Sequence, residues 1–309
     1  MKNVVAVEPY WHNERLNFKH KAYYAWRECG GSSMPGSYPP KWLHPIFSRI
    51  TIPNILQKKK EARMRFVQPI NFWLDAYPDY LFYEIIPVIW DCWAHVRDIT
   101  SQFFERYFVR TAIFTSSQTA ELFREKYPEM NILTITEGID IDTYREGNRL
   151  VDRSIDLLEF GRDNHVFISP MNGINHLKNK PGELLFQSNN DFVVALSNAK
   201  IAIAMPKLVT DPNYARGIET LTQRYWECML SRTILLGHAP KELTDFVGYN
   251  PVVEIDMKHA EEQVKSILAN VEDYQPLVDK NRETALKYGD WKLRIKQIMR
   301  WLQECGYEV

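Results

Sequence analysis

The chain is short of several features that would assign its class at once. No stretch approaches the roughly 18 uninterrupted apolar residues that a membrane span needs. The N-terminus, MKNVVAVEPYW, carries one lysine and too short an apolar run for a secretory leader, and reads as a first buried strand. The four cysteines, Cys29, Cys92, Cys228 and Cys305, are scattered, with no C-x-x-C pair and no metal-ligand spacing. That pattern points to reduced thiols in a cytoplasmic protein and away from a zinc or disulfide scaffold. No G-x-G-x-x-G follows any predicted strand, so the fingerprint of nicotinamide redox enzymes is missing. There is no sequence repeat. The formal net charge of −1 carries no basic excess, and no recognition motif for nucleic acid is present, so nucleic acid is not an expected partner.

What is there is strand–helix alternation over 309 residues, a length that suits two α/β domains better than one. VVAVEP near Val4, IIPVIWDCW near Val88, TAIFTSS near Phe114 and NILTITEG near Leu133 read as strands. LNFKHKAYYAW, HVRDITSQFFERYF and SQTAELFREKY read as helices between them. A Pro- and Gly-rich stretch from Gly30 to Pro53 reads as irregular. After the polar TYREGNRLVDRS a second series begins. IDLLEFGRD, GELLFQ, AKIAIAMP, RTILLGH and NPVVEID supply its strands, and DFVVALSNA, YWECMLS, APKELTDF and HAEEQVKSILAN its helices. The last stretch, from Tyr274 to Cys305, is helical and divided at Gly289-Asp290. Such alternation predicts parallel, doubly wound sheets.

The charge is unevenly spread. Residues 1 to 65 hold twelve Lys/Arg against four Glu, a surplus of eight, and the remainder carries a deficit of nine. With Tyr10, Trp11, Tyr23, Tyr24 and Trp26 interleaved, this first third suits an anionic acceptor or peripheral contact with an anionic membrane surface. A solvated helix face has the same composition.

The most informative segment is ETLTQRYWE, which sets Glu219 and Glu227 eight positions apart across a predicted loop-to-helix junction. The junction follows the buried strand of Lys200 to Met205, so both carboxylates flank the top of a strand–loop–helix unit, where open α/β sheets bind ligands. The amides of Leu221 and Thr222 at the helix start can meet a phosphate. Arg224 stands three positions before Glu227 on the same helix face, fit for a phosphate contact, for holding Glu227, or for an ordinary ion pair. Arg162, at the end of the LLEFG strand, can act as a guanidinium clamp or in a structural ion pair. Lys178, Lys180 and Lys207 are further candidates for a phosphate. Asp91 and His95 close the IIPVIWDCWAH strand, with Trp90 and Trp93 able to stack on a sugar ring or to fill the core. Asp91 also suits a helix N-cap. Asp140-Ile141-Asp142 is a D-x-D, a spacing that can hold a divalent metal, and reads here as a turn before an interdomain linker.

Three ordered stretches resemble GT-B nucleotide-sugar glycosyltransferases, especially the group-1-like branch that includes CgeB-type proteins of surface polysaccharide loci. They are TAIFTSSQTAELFREKYPEMNILTITEGIDIDTY, LLEFGRD and ETLTQRYWECMLSRTILL, and together they cover roughly residues 111 to 256. The family's Gly-rich turn after the first strand is missing, and CMLSRT stands where an Ala-x-Gly-x-Pro is usual.

The resemblance implies an α/β, GT-B-like fold of two doubly wound Rossmann-like domains. Residues 1–148 would form an acceptor-side domain and 149–285 a donor-binding domain, with a C-terminal helix, 286–309, returning to the first. It implies transfer from a nucleoside-diphosphate sugar to a glycan or lipid-linked acceptor, with retention as in relatives that carry this glutamate pair, and with no metal and no cofactor beyond the donor. Glu219 would contact the donor sugar and Glu227 the ribose, Arg162, Thr222 and Arg224 would lie along the donor, and Asp91 or His95 would orient or deprotonate the acceptor hydroxyl. The setting would be the cytoplasm, with peripheral contact at the inner membrane surface as a further option. Two alternatives share these features: a sugar-nucleotide epimerase of the same fold, and a non-catalytic sugar-nucleotide-binding subunit.

Overall fold

The structure, a computed structural model, describes residues 1–10, 18–38, 40–43, 61–161, 166–167, 169–180 and 183–309. It divides into two compact units, one formed by Met1–Glu137 with Trp291–Val309 and the other by Gly138–Asp290. No helix among the described residues is long and apolar enough to cross a membrane.

The first unit runs β1 (Lys2–Val7), α1 (Phe18–Glu28), β2 (Ser33–Met34), β3 (Glu61–Val67), α2 (Phe72–Ala76), β4 (Glu84–Ile89), α3 (Arg97–Tyr107), β5 (Thr111–Phe114), α4 (Ser117–Lys126) and β6 (Asn131–Thr134). These strands pair in parallel in the order β1-β3-β4-β5-β6, with β2 on the far side of β1. Helices cover both faces of a parallel sheet, so its strands read as nearly continuous apolar runs, and all six residues of β4, EIIPVI, are buried. Val4, Ala6, Met64, Phe66, Ile86 and Val88 build the core on one face. Val67, Ile85, Ile89, Ala112 and Phe114 build it on the other. Ser116 caps α4 through its hydroxyl, which accepts from the Thr119 amide at 3.4 Å, as the SSQTAE pattern leads one to expect.

Strand β3 was not expected, because EARMRFV carries two arginines among its apolar residues. The structure buries both. Arg65 reaches Asp79 at 3.3 Å and the Tyr77 carbonyl. Arg63 pairs with Glu61 at 2.7 Å and lies 3.9 Å from the centroid of the Tyr83 ring. Lys19 is buried too, bound to both oxygens of Asp75 at 3.0 and 2.9 Å. Lys19, Arg63 and Arg65 of the basic first third are therefore held in internal ion pairs. Lys58, Lys59, Lys60 and much of the Pro-rich stretch lie outside the described residues; in its described part Ser33–Met34 pair with β1 as β2, while residues 35–38 are irregular as expected.

The second unit contains β7 (Ile155–Glu159), β8 (His176–Lys178), α5 (Asn189–Ser197), β9 (Ala199–Ala204), α6 (Lys207–Thr210), α7 (Pro212–Ala215), α8 (Gln223–Leu230), β10 (Ile234–Gly237), α9 (Lys241–Val247), β11 (Val252–Glu254), α10 (Ala260–Ala269) and α11 (Gln275–Tyr288). Its sheet is parallel, in the order β11-β10-β9-β7-β8. The expected GELLFQ strand is absent. Leu185 and Phe186 pack on the core from chain without ladder hydrogen bonds, Leu184 is exposed, and β8 takes the edge instead. Two adjacent apolar residues can fill a core gap without pairing, which the hydrophobic pattern alone does not distinguish from a strand. Because β8 lies on one side of β7 and β9 on the other, strand order reverses at β7. The carboxyl ends of β7 and β9 thus form the switch point at which such sheets bind ligands.

After α11 the chain turns at Gly289 and re-enters the first unit as α12 (Trp291–Glu304) and β12 (Tyr307–Glu308). Trp291, Ile295, Ile298 and Leu302 of α12 are buried in the same cluster as β1 and β3. β12 pairs in parallel with β1, and the Tyr307 hydroxyl meets Thr111 Oγ1 at 2.8 Å and the Glu84 carboxylate. The returning C-terminal helix expected of the fold is present.

Candidate active site

At the carboxyl end of β7 the chain continues through Phe160 to Gly161, whose φ of +145° few side chains tolerate. Arg162 and the next three residues lie outside the described residues. Arg224, on the first turn of α8, extends back across this strand end. Its guanidinium lies 4.8 Å from the centroid of the Phe160 ring, and a Cβ at Gly161 would stand 3.0 Å from the terminal nitrogen. Among the described residues this guanidinium has no hydrogen bond and no carboxylate within ion-pair distance, so the expected i,i+3 pair with Glu227 is not formed. A cation held by an aromatic face, with its donors unspent beside a strand end, suits a phosphate.

Glu219 is not on the helix. The segment before α8 is extended, with Thr222 at the N-cap position but making no side-chain cap. One Glu219 oxygen accepts from the Lys241 amide at the start of α9 (2.9 Å), and the other stands 3.3 Å from His238 Nε2. His238 follows β10, and its Nδ1 is 3.1 Å from Glu254 at the end of β11. The imidazole thus bridges two carboxylates along the carboxyl edge of the sheet. The Leu221 amide, expected to face a phosphate, donates instead to Glu242 of α9 at 2.8 Å. That contact corrects the expectation: a carboxylate of the protein itself occupies one side of the α8 start, where the helix dipole favours negative charge.

Glu227, on α8, is half-buried in the second unit. The Tyr144 hydroxyl donates to its Oε1 at 2.7 Å. Burial pushes the Glu227 carboxyl above the usual carboxylate range, while the Tyr144 hydrogen bond and the Arg224 charge pull it back. Burial and the neighbouring carboxylate hold the Tyr144 hydroxyl well above the ordinary phenol value, so it remains a donor. Asp140 forms a local turn: its oxygens accept from the Asp142 amide at 3.3 Å and the Thr143 hydroxyl at 2.8 Å. Among the described residues no three His, Cys, Asp or Glu side chains are grouped to hold a metal ion.

The three lysines differ. Lys178 is turned inward to the Phe167 carbonyl and stands 3.6 Å from Glu159. Lys207 pairs with Asp211 at 3.3 Å. Lys180 is exposed.

In the first unit Asp91 and His95 are both exposed past the carboxyl end of β4. Asp91 has a φ of +52°, a conformation that Asp tolerates better than most residues. Its Oδ2 accepts from Gln68 Nε2 at 3.2 Å, and the Gln68 amide in turn donates to Asp75, the partner of Lys19. Asp91 is not a helix cap, since α3 begins only at Arg97 with Val96 before it. Trp90 and Trp93 are buried, 2% and 7% exposed, and Trp90 packs against Phe18, Phe66 and Trp291; they belong to the core and are not available to a sugar ring. The sequence pattern did not single out Phe160, Tyr144, His238, Glu242 or Gln68. Only the Tyr that ends the GIDIDTY motif offered a signal.

No family model matches the chain, and no curated protein matches it by sequence. Solved structures do. AviGT4, a glycosyltransferase involved in avilamycin A biosynthesis, is 14% identical with a TM-score of 0.56, the match covering 99% of this chain and 98% of that one. Sucrose-phosphate synthase from Thermosynechococcus elongatus is 11% identical with a TM-score of 0.61, covering 99% of each chain. HepE from Anabaena, in complex with UDP and glucose, is 9% identical with a TM-score of 0.62, covering 98% of this chain and all of that one. Two parallel sheets with covering helices and a C-terminal helix returned to the first unit, matched over nearly the whole length, give this chain the GT-B fold.

Proposed function

We propose that the chain is a glycosyltransferase that moves a sugar from a nucleoside-diphosphate sugar to a hydroxyl of a glycan or lipid-linked acceptor, with retention and without a metal ion. The observation that carries this reading is Arg224: a guanidinium stacked on Phe160 at the switch point, with no carboxylate partner among the described residues, three positions from Glu227. That HepE of the same fold is described in complex with UDP and glucose supports the same ligand class here.

In the transfer, the bond between the anomeric carbon and the diphosphate oxygen breaks, and its electron pair leaves on the diphosphate. The acceptor oxygen bonds to the anomeric carbon and gives up its proton. Arg224 stabilises the charge that grows on the leaving group, a term largest where water is excluded. Glu227 accepts from the ribose hydroxyls and Glu219 from hydroxyls of the transferred sugar, releasing the Lys241 amide or His238 as it does so. Thr222 lies along the diphosphate, a role the sequence pattern also gives to Arg162, which lies outside the described residues. Asp91 or His95 orients or deprotonates the acceptor hydroxyl.

A thermal-shift panel of nucleoside diphosphates and their sugars, in EDTA and in Mn²⁺, tests this on the wild type and on Arg224→Gln. At about 100 times Kd a ligand adds roughly 2.7 kcal/mol, a shift of a few degrees. The expected result is a shift by one base in EDTA, lost for the diphosphate in Arg224→Gln. No shift with any diphosphate, or a shift only with Mn²⁺, overturns the assignment, and sugar-nucleotide interconversion without acceptor reassigns the site to an epimerase.

A further inference from the structure

We propose that Tyr144 is a positioning residue for Glu227, so that the distinction between ribo- and deoxyribonucleotides rests on a side chain from the segment that enters the second unit, outside the helix that carries the carboxylate. This rests on the reading of Glu227 as the ribose ligand.

The contact spans 83 residues of sequence and joins two groups of suited character. The hydroxyl donates to Oε1 at 2.7 Å, and among the described residues Oε2 accepts no hydrogen bond. A hydrogen bond to one oxygen restrains the rotation that would carry the other away, and a restrained acceptor loses less freedom on meeting a hydroxyl than a mobile one. Tyr144 is itself fixed. Asp140 closes the turn before it through the Asp142 amide and the Thr143 hydroxyl, and Ile141 and Tyr144 pack on the cluster that contains Tyr225, Trp226 and Leu230. The D-x-D segment thereby acquires a local task, to aim the tyrosine. Arg224, the other group that acts on Glu227, works by charge and forms no hydrogen bond to it, so Tyr144 alone sets the direction of the carboxylate among the described residues.

The test measures Kd for UDP, ADP and GDP and for their 2′,3′-dideoxy forms by calorimetry on wild type, Tyr144→Phe, Glu227→Gln and the double variant. A hydroxyl hydrogen bond to a charged acceptor is worth about a 10- to 100-fold preference for the ribo form. Tyr144→Phe is expected to cut that preference at least several-fold while leaving the dideoxy affinity unchanged, a split that general loosening of the fold does not give. The double variant is expected to lose no more than Glu227→Gln alone. Full preference retained in Tyr144→Phe, with loss in Glu227→Gln, overturns the role of Tyr144 and leaves the donor-site reading intact. Preference retained in Glu227→Gln overturns that reading and this inference with it, as does an equal loss of ribo and dideoxy binding in Tyr144→Phe.

Discussion

Glu227 is pulled in opposite directions at the scale of one residue. Burial raises its carboxyl, and Tyr144 and Arg224 lower it, with burial the larger effect. A carboxyl raised in the folded state stabilises the fold while protonated, below its unfolded pKa, and that contribution is lost as pH rises through the raised folded value. At neutral pH the ionised group therefore costs stability. Glu227→Gln is expected to have a Tm equal to or higher than that of the wild type at pH 7.5, with the gap closing toward pH 4. Function has the opposite sign, because only the ionised form accepts from both ribose hydroxyls. The ribo-over-dideoxy preference should accordingly be full near pH 7.5 and fall on acidification, with a midpoint above the ordinary 4.5. The diphosphate's own titration cancels in this ratio. A midpoint at or below 4.5 would mean that the Tyr144 hydrogen bond and the Arg224 charge outweigh desolvation at this carboxyl.

At the scale of an element, the carboxyl ends of β9 and β10, beside the switch point, leave no room for adjustment. Gly237 closes β10 against β9, and a Cβ there would stand 1.9 Å from the Ala204 carbonyl oxygen and 2.6 Å from its carbon. Both are backbone atoms and neither can rotate away. Gly237→Ala must push the paired strands β9 and β10 apart, and overpacking of this kind costs about 1–3 kcal/mol. The denaturation midpoint should fall accordingly, and His238, the next residue, should lose its reach to Glu219 and Glu254. An unchanged midpoint would mean that β9 and β10 separate freely.

The same scale shows what the sequence made legible. Strands β1, β4, β5, β7, β9 and β10 were readable because a parallel sheet buries both faces and leaves unbroken apolar runs. β3 was not, since Arg63 and Arg65 are neutralised by Glu61 and Asp79, the latter in the turn region before β4, and a charge pattern does not say which partner will arrive. GELLFQ misled for the reverse reason, its apolar residues filling a core gap from a loop. Within the site, the spacing of Glu219 and Glu227 was visible, and so was the junction between them. That Glu242 reaches the Leu221 amide, or Tyr144 the Glu227 carboxylate, depends on tertiary contacts no local pattern encodes.

For the whole molecule, the two units are not equivalent pieces of chain. Gly138–Asp290 is contiguous, with its own five-stranded parallel sheet and a core on each face of it. The first unit is discontinuous: Trp291, Ile295, Ile298 and Leu302 of α12 complete the cluster begun by Val4, Met64 and Phe66, and β12 covers a short stretch of the β1 edge. Separating the chain at these boundaries should therefore have asymmetric results. Residues 138–290 expressed alone are expected to unfold cooperatively and to retain the nucleoside-diphosphate shift, because Arg224, Glu227, Tyr144, Phe160 and Glu219 all lie within them. Residues 1–137 alone are expected to bind a hydrophobic dye and to lack a cooperative transition, since their main core would be open where α12 belongs. Supplying 291–309 in trans as a peptide should restore some of the transition. A cooperative 1–137 would mean that α12 is an accessory to the first core, and a non-binding 138–290 would mean that the donor site needs residues from the other unit.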